Sequence, residues 1–463
     1  MNDTRHDGVF DLAIIGGGAA GTMVAIQALR QAHAPLRIAL VDPASALGQG
    51  VAYSTRHPEH LLNVPVRRMS AFDDAPEDFL DFIASDGGDR ESLGPQFVQR
   101  HRYADYLETR LREARAASRA ELVVLASRAV ALDDDGATSR LTLEDGTRLS
   151  ARGVVLAVGN APRSLPASVG DLPADRLRSA WDYDAVKRIP IDAEVCIVGS
   201  GLSMVDAVLS LAANGHRGGI HIVSRHALLP LPHAPHAAAG IDVDALLRQP
   251  LRQRLHMLRA AARDAARAGT PWQAVMESLR PHGQALWRSL SAADQRRFLR
   301  HVVRYWDVHR HRVAAQVYAQ LQALVESGRI RLHRGRVREA AMAGPRVRID
   351  ARMRDGRDDR FDVDAVVNAT GMETRARAMG NPLLSDLLDK GLAVAGAHGI
   401  GIRTDDEGHM VDARGQPRPN LLALGSLRIG DLWESTAVPE LRGQAEAAAR
   451  ASLGRVAAQP GTP

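Results

Sequence analysis

Two glycine-rich stretches hold the residue types best placed for chemistry. The first is Asp11-Leu-Ala-Ile-Ile-Gly-Gly-Gly-Ala-Ala-Gly21. An apolar strand, Leu12 to Ile15, runs into Gly16-x-Gly18-x-x-Gly21, and a helical pattern follows over Thr22 to Gln31. Gly16 permits a tight turn, Gly18 lets backbone approach a pyrophosphate, and Gly21 lets helix pack on strand. Ala19 and Ala20 open the helix, whose N-terminal N–H groups and positive dipole end face the same anion. A second strand, Arg37 to Val41, ends at Asp42, whose carboxylate can accept hydrogen bonds from ribose hydroxyls. Strand, loop, helix, strand and terminal acid together point to a bound dinucleotide.

The second stretch, Glu194-Val-Cys-Ile-Val-Gly-Ser-Gly-Leu-Ser-Met204, repeats the first without a gap. Gly199 and Gly201 each stand 183 residues after Gly16 and Gly18, and Leu202 and Ser203 open the helix that runs to Ala213. The third glycine is replaced by Met204, so tight helix-strand packing is expected to relax there. The same offset places Arg225, preceded by Ser224, at the position of Asp42. A carboxylate would repel a 2′-phosphate, whereas arginine binds one by charge-assisted hydrogen bonds. The first loop therefore suits FAD or NAD, and the second NADP. Cys196, flanked by Val195, Ile197 and Val198, reads as a buried small apolar residue.

The elements around the loops repeat too. Glu121 to Ala131 reads as a strand, Ser139 to Leu143 as another, and Val154 to Gly159 as an apolar strand ending in glycine. Later come Arg329 to Arg334, Arg346 to Ala351 and Ala365 to Gly371, again closed by glycine. A third such ending is Leu421 to Gly425 with Ser426, before a helix reaching Ala451. Gly159, Gly371 and Gly425 are expected where chain approaches cofactor at the carboxyl end of a parallel sheet.

Composition bounds what else the chain could be. Its 463 residues suggest about three domains. One cysteine excludes an intramolecular disulfide, a CxxC redox pair and a cysteine-based zinc site. The formal charge is +5, and with two lysines, Lys187 and Lys390, nearly all the basic residues are arginine. Basic and acidic residues are interspersed, so no nucleic-acid partner is expected. No apolar run approaches the roughly 20 residues of a membrane span, and the polar N-terminus carries no signal peptide, so a cytoplasmic location is expected. His309-x-His311 lacks a third ligand at a recognisable spacing, and no metal is expected.

With this order of motifs, the chain resembles two-dinucleotide-binding-domain flavoproteins over nearly its whole length. More narrowly it is similar to a bacterial group of FAD/NAD(P)-binding proteins. The segments that carry the likeness are Gly48-Gln-Gly-Val-Ala-Tyr53, His60-Leu-Leu-Asn-Val-Pro65, Tyr305-Trp-Asp-Val-His-Arg-His-Arg312 and Glu434-Ser-Thr-Ala-Val-Pro-Glu440. The resemblance implies an α/β fold with two Rossmann-like dinucleotide-binding domains, for FAD and NADPH (or NADH), and a helical insertion. An FAD-dependent urate hydroxylase belongs to that group, and lysine and ornithine N-hydroxylases are more distant relatives. Where those relatives often carry Gly-Asp at the closing strand, this chain has Gly425-Ser426, and Asp431 is the nearest alternative acid. The cysteine count excludes the disulfide reductases.

The expected division is 1–165 and 365–463 for the FAD domain, 185–226 and 313–364 for the NAD(P) domain, and 227–312 for the insertion. Helices are expected over Ala239 to Arg267, Pro271 to Leu279 and Ala292 to His309, after a Pro230 to His236 loop. Trp306 and Arg310, four residues apart on one helix face, could stack on and neutralise a flat anion, receive NADPH phosphates, or simply pack. By resemblance, His60 and Asn63 approach the flavin ring; read locally, Asn63 holds a turn before Pro65. Hydride would pass from nicotinamide to flavin, and the reduced flavin would react with O2 to a C4a-hydroperoxide that hydroxylates a small substrate, urate first among them. The cofactor carries that chemistry, so no catalytic side chain is named. An N-hydroxylase of an amino acid or polyamine is the alternative, although the arginine-rich insertion argues against an amine. A flavin-bound redox sensor without turnover is the third reading.

Overall fold

The computed structural model describes residues 5–44, 46–235 and 239–458; His236, the end of the expected Pro230 to His236 loop, lies outside them. The chain divides into two units. The first comprises residues 1–56, 64–161 and 373–463, and the second residues 57–63 and 162–372. The fold is α/β, with a Rossmann-like sheet in each unit and a helical insertion in the second.

In the first unit the strand Arg5–Ile15 lies between Arg37–Val41 and Arg148–Leu156, parallel to both. Glu121–Leu125 extends the sheet beyond Arg37–Val41, and Pro417–Ala423 joins on the other side against Arg148–Leu156. The helix Ala19–Gln31 covers one face, with Met23, Ile26 and Leu29 buried as their helical spacing requires. The opposite face is sealed by Leu383, Leu384 and Leu387 of the helix Pro382–Asp389, packed with Leu141 and Leu149. The expected single strand over Glu121 to Ala131 is two strands. Ser127 turns the chain back onto the Leu125 carbonyl (2.9 Å), and Ala129–Asp134 pairs instead with Ser139–Leu143 as a hairpin.

In the second unit Val195–Val198 lies between Ile220–Ser224 and Ala365–Asn368, all parallel. Ile330–Ala343 runs parallel to Ile220–Ser224 at its start and antiparallel to Arg346–Met353 further on. The expected boundary at 365 therefore moves. Ala365–Asn368 pairs residue for residue with Val195–Val198, so it completes the second sheet, and the unit runs to Met372. The first unit likewise ends at Ala161 rather than 165 and excludes residues 57–63.

The insertion is helical, as its pattern requires, but more broken than expected. Pro250, which cannot donate a backbone hydrogen bond, splits Ala239 to Arg267 into Val243–Leu247 and Leu251–Arg267. Ala292 to His309 is Ala292–Arg297, one π-helical turn over Phe298–Val302, then Val303–Arg310. No helix of the described residues is long and apolar enough to cross a membrane.

Candidate functional site

Both glycine loops are built by the same contacts. Gly16 donates to the Val41 carbonyl (2.8 Å) and Gly199 to the Val223 carbonyl (2.9 Å). Ala157 donates to Ile15 (2.8 Å), and Ala369 does the same to Val198 (2.9 Å). Gly16 has φ +110° and Gly199 φ +113°, and a Cβ on either would stand 2.3 or 2.2 Å from the carbonyl of Ala157 or Ala369. Only glycine fits either place.

The helices that follow, Ala19–Gln31 and Leu202–Ala213, begin at Gly18 and Gly201 with no side-chain cap and no acid in the first turn. Their first N–H groups are left for an outside acceptor, and no carboxylate competes with a phosphate there. Above the first loop, Gly48 donates to the Gly17 carbonyl (2.9 Å) and to the Thr22 hydroxyl (2.9 Å). That anchors the start of the Gly48–Tyr53 segment, to which sequence reasoning assigned no role. Thr22 was missed as well; its place directly after Gly21 was the available signal. Gly21 has no room for a Cβ, which would stand 1.8 Å from the Gly16 carbonyl. In the second loop Met204 is fully buried, so the methionine is absorbed by packing.

The strand register corrects one assignment. Ile15 pairs with Val41 and Val198 pairs with Val223, so the residue next after the paired one is Asp42 in one case and Ser224 in the other. The span from the first strand to its partner, helix included, is one residue shorter in the second copy. Ser224, not Arg225, stands in the place of Asp42. The contacts agree: Gly17 donates to Asp42 Oδ2 (2.5 Å), and Ser200, the counterpart of Gly17, meets Ser224 Oγ at 2.9 Å. Asp42 Oδ1 also accepts from Ala44 (2.7 Å), and Ser224 Oγ from Ala227 (3.0 Å). The serine hydroxyl shapes its loop, and Arg225 follows it with an exposed side chain. Desolvation first, then the guanidiniums of Arg304, Arg336 and Arg163, lower the pKa of Arg225.

The closing residues of the first unit come together. Ser426 Oγ donates to the Gly159 carbonyl (2.6 Å). Gly425 donates to Gln444 Oε1 (3.0 Å), while its carbonyl accepts from Ser435 (2.9 Å). Gln444 also donates to the Ser435 carbonyl (2.9 Å), a role that no sequence motif marked. Gly159, in the first unit, and Gly371, in the second, each have positive φ (+73° and +84°) with open space where a Cβ would stand. Asp431 Oδ2 accepts from the Thr404 N–H (2.8 Å) and hydroxyl (3.2 Å).

Other expected site residues are placed differently. His60 is fully buried, with Nε2 at 2.9 Å from Ser210 Oγ and 3.2 Å from the Asp206 carbonyl, both on the helix Leu202–Ala213. Its ring ties residues 57–63 to the second unit. The Asn63 carbonyl accepts from His233 Nε2 (3.0 Å), which holds the same segment. Ser203 Oγ accepts from the Trp181 indole (3.0 Å), which leaves its O–H and its backbone N–H to donate. Trp306 packs edge-on against Phe298 (6.1 Å between centroids), and Arg310 is buried.

Two buried arginines of the insertion are committed within the fold. Arg254 is buried and donates to the carbonyls of Gln249, Leu286 and Leu247 (2.7, 2.7 and 2.9 Å). Arg312, buried, pairs with Glu277. Among the described residues, Asp405, Glu407 and His409 alone cluster as a metal site would, but Asp405 already accepts from Gly408, His409 N–H and the His409 ring.

Comparison with known proteins places this geometry. Residues 13–161 match the family model described as FAD-NAD(P)-binding. Residues 92–238 match the model described as L-lysine 6-monooxygenase/L-ornithine 5-monooxygenase. No curated protein matches the sequence. Among solved structures, the chain is similar to the ornithine N-hydroxylase of Kutzneria sp. 744 (TM-score 0.68, 16% identity, 97% of this chain and 100% of that one). It is similar to the L-lysine 6-monooxygenase of Pseudomonas syringae (TM-score 0.68, 19% identity, 96% and 99%). The cadaverine monooxygenase of Erwinia amylovora aligns at TM-score 0.61 and 12% identity, over 98% and 95%. The chain has the fold of these two-nucleotide flavoproteins.

Proposed function

We propose that the protein is an FAD-dependent, NADPH-consuming monooxygenase that N-hydroxylates the terminal primary amine of an amino acid or a diamine. The observation that carries the cofactor assignment is the repeated loop with opposite strand-end chemistry: Asp42 in one copy, Ser224-Arg225 in the other. FAD is assigned to Gly16, Gly18, Ala19, Ala20, Gly21, Asp42, Gly159, Gly425 and Ser426. NADPH is assigned to Gly199, Gly201, Leu202, Ser203, Arg225 and Gly371. Bound FAD supplies hydride acceptance and oxygen activation, and the chain supplies placement and exclusion of water. The net reaction consumes the amine, O2, NADPH and a proton, and yields the hydroxylamine, water and NADP+.

The urate expectation gives way to the amine. What supports this is the lysine/ornithine monooxygenase match over residues 92–238, together with amine hydroxylases among the structures of like fold. Of the insertion's arginines, Arg254 and Arg312 are spent on internal partners.

Purified protein should show flavin absorbance. NADPH oxidation, oxygen uptake and hydroxylamine formation should then be measured with ornithine, lysine, cadaverine and urate. Amine-dependent hydroxylamine is the expected result. Urate loss with no response to amines would restore the first expectation, and no stimulation by any substrate would favour the sensor.

A further inference from the structure

The arginine content of this chain hides one concentration that pairing does not explain. On the two antiparallel strands Arg346–Met353 and Asp358–Val363 of the second unit, each arginine has a carboxylate at hand: Arg346 with Asp364 (3.2 Å), Arg348 with Asp362 (3.0 Å), Arg352 with Asp358 (2.9 Å) and Arg360 with Asp350 (2.5 Å). The group at the end of Ile220–Ser224 does not. Among the described residues, Arg225, Arg334, Arg336 and Arg354 have no ion-pair partner, and all four are exposed.

The fold brings them to one place. Ser224 pairs in register with Arg334, which sets Arg334 and Arg336 beside the Ser224-Arg225 turn. Arg354 donates its N–H to the Arg334 carbonyl (2.8 Å), bringing a third strand to the same end. Arg163 is fastened there by its own backbone. Its N–H donates to the Gly371 carbonyl (3.0 Å), and its carbonyl accepts from Asn368 (2.8 Å) and Thr370 (3.3 Å). The insertion closes the group. Tyr305 on Val303–Arg310 packs on His226 with ring centroids 5.6 Å apart, and Arg304 precedes it. Asp307, one turn on, holds Arg304 at 3.0 Å. The Nδ1 of His226 is buried without a hydrogen-bond partner.

Asp307 holds Arg304, but Arg225, Arg334, Arg336 and Arg354 are like charges gathered without a paired acid, which costs free energy unless an anion occupies the site. Mutual repulsion acts here: neighbouring guanidiniums, Arg304 and Arg336 among them, add to desolvation in lowering the pKa of Arg225. Arginine stays charged in proteins, so the cost is relieved by an anion rather than by proton loss.

We propose that Arg304 of the insertion and Arg336 of the long strand complete a 2′-phosphate site with Arg225, so that the insertion selects the phosphorylated nicotinamide cofactor. The inference rests on the NADPH assignment above and adds to it the residues that discriminate. Tyr305, 44% exposed at the rim, offers a ring face to the adenine.

The test uses the flavin-loaded enzyme and its Arg304→Ala, Arg336→Ala and Arg304→Lys variants. Binding of 2′,5′-ADP and of 5′-AMP is measured by calorimetry, and the KM for NADPH and NADH by flavin reduction. Each alanine variant is expected to weaken 2′,5′-ADP about tenfold or more, with 5′-AMP changed less than about twofold. Arg304→Lys should recover part of the loss. Equal losses for both nucleotides, or no loss, would overturn the role of the insertion. If Arg225→Ala alone weakens 2′,5′-ADP, the NADPH reading stands and this inference fails. If the unaltered enzyme binds 5′-AMP and not 2′,5′-ADP, both fail. The substituted side chains are exposed, and far-UV circular dichroism of each variant confirms folding.

Discussion

Asp42 and Ser224 occupy one position in two copies of a loop, and their difference is chemical rather than steric. A carboxylate fixed by Gly17 and Ala44 still has lone pairs for ribose hydroxyls. A serine fixed by Ser200 and Ala227 leaves the site uncharged for an anion held by its neighbour. Asp42→Ala should therefore lower flavin content and raise the FAD Kd about tenfold, read by fluorescence titration. Unchanged flavin affinity would remove Asp42 from the site. Cys196 makes the opposite point about exposure. It is fully buried, and desolvation pushes its thiol up to about 12. It should be inert to a thiol reagent at pH 8 in the native protein and react fully in denaturant; fast native labelling would contradict its place in the core.

Elements explain why other side chains are spent on structure. Trp306 sits past the π turn and packs on Phe298, which itself packs on Trp287. Trp306→Ala should destabilise the protein by about 1 kcal/mol in a denaturant series, with the substrate KM nearly unchanged. A raised KM at unchanged stability would return Trp306 to the substrate. In the second sheet His221 and His333 stack and meet at 3.0 Å, with Phe361 against both. Burial lowers both pKa values below the ordinary 6.5, despite Glu194 beside His221 and Asp359 beside His333. Above that pH both forms of the protein carry them neutral. As pH falls through 6.5 the unfolded chain takes up protons first, so stability is lost on acidification. The urea midpoint should fall between pH 7.5 and 5.5, and less so in His333→Gln. An identical slope in the variant would assign the acid loss elsewhere.

At the scale of the whole molecule, ligand linkage offers a check independent of turnover. Whatever binds the native state alone stabilises it, by about 2.7 kcal/mol at a hundredfold excess over Kd. Added FAD should raise the melting temperature of flavin-stripped protein, and 2′,5′-ADP should raise it further. A melting temperature unmoved by FAD would count against the flavoprotein reading as a whole. The sequence by itself determined the two glycine loops, the strands that carry them and the helical character of the insertion, because each is written in local spacing: glycines where a Cβ has no room, and apolar residues at the period of strand or helix. Only the tertiary structure decided the rest. It was strand pairing that put Ser224 in the place of Asp42, since a one-residue difference in a connection is invisible until the register is known. It was packing across the fold that buried His60 against Leu202–Ala213 and Arg254 against backbone carbonyls. And among the many arginines of the chain, only three-dimensional proximity brings Arg225, Arg304 and Arg336, distant in sequence and without shared spacing, to one strand end.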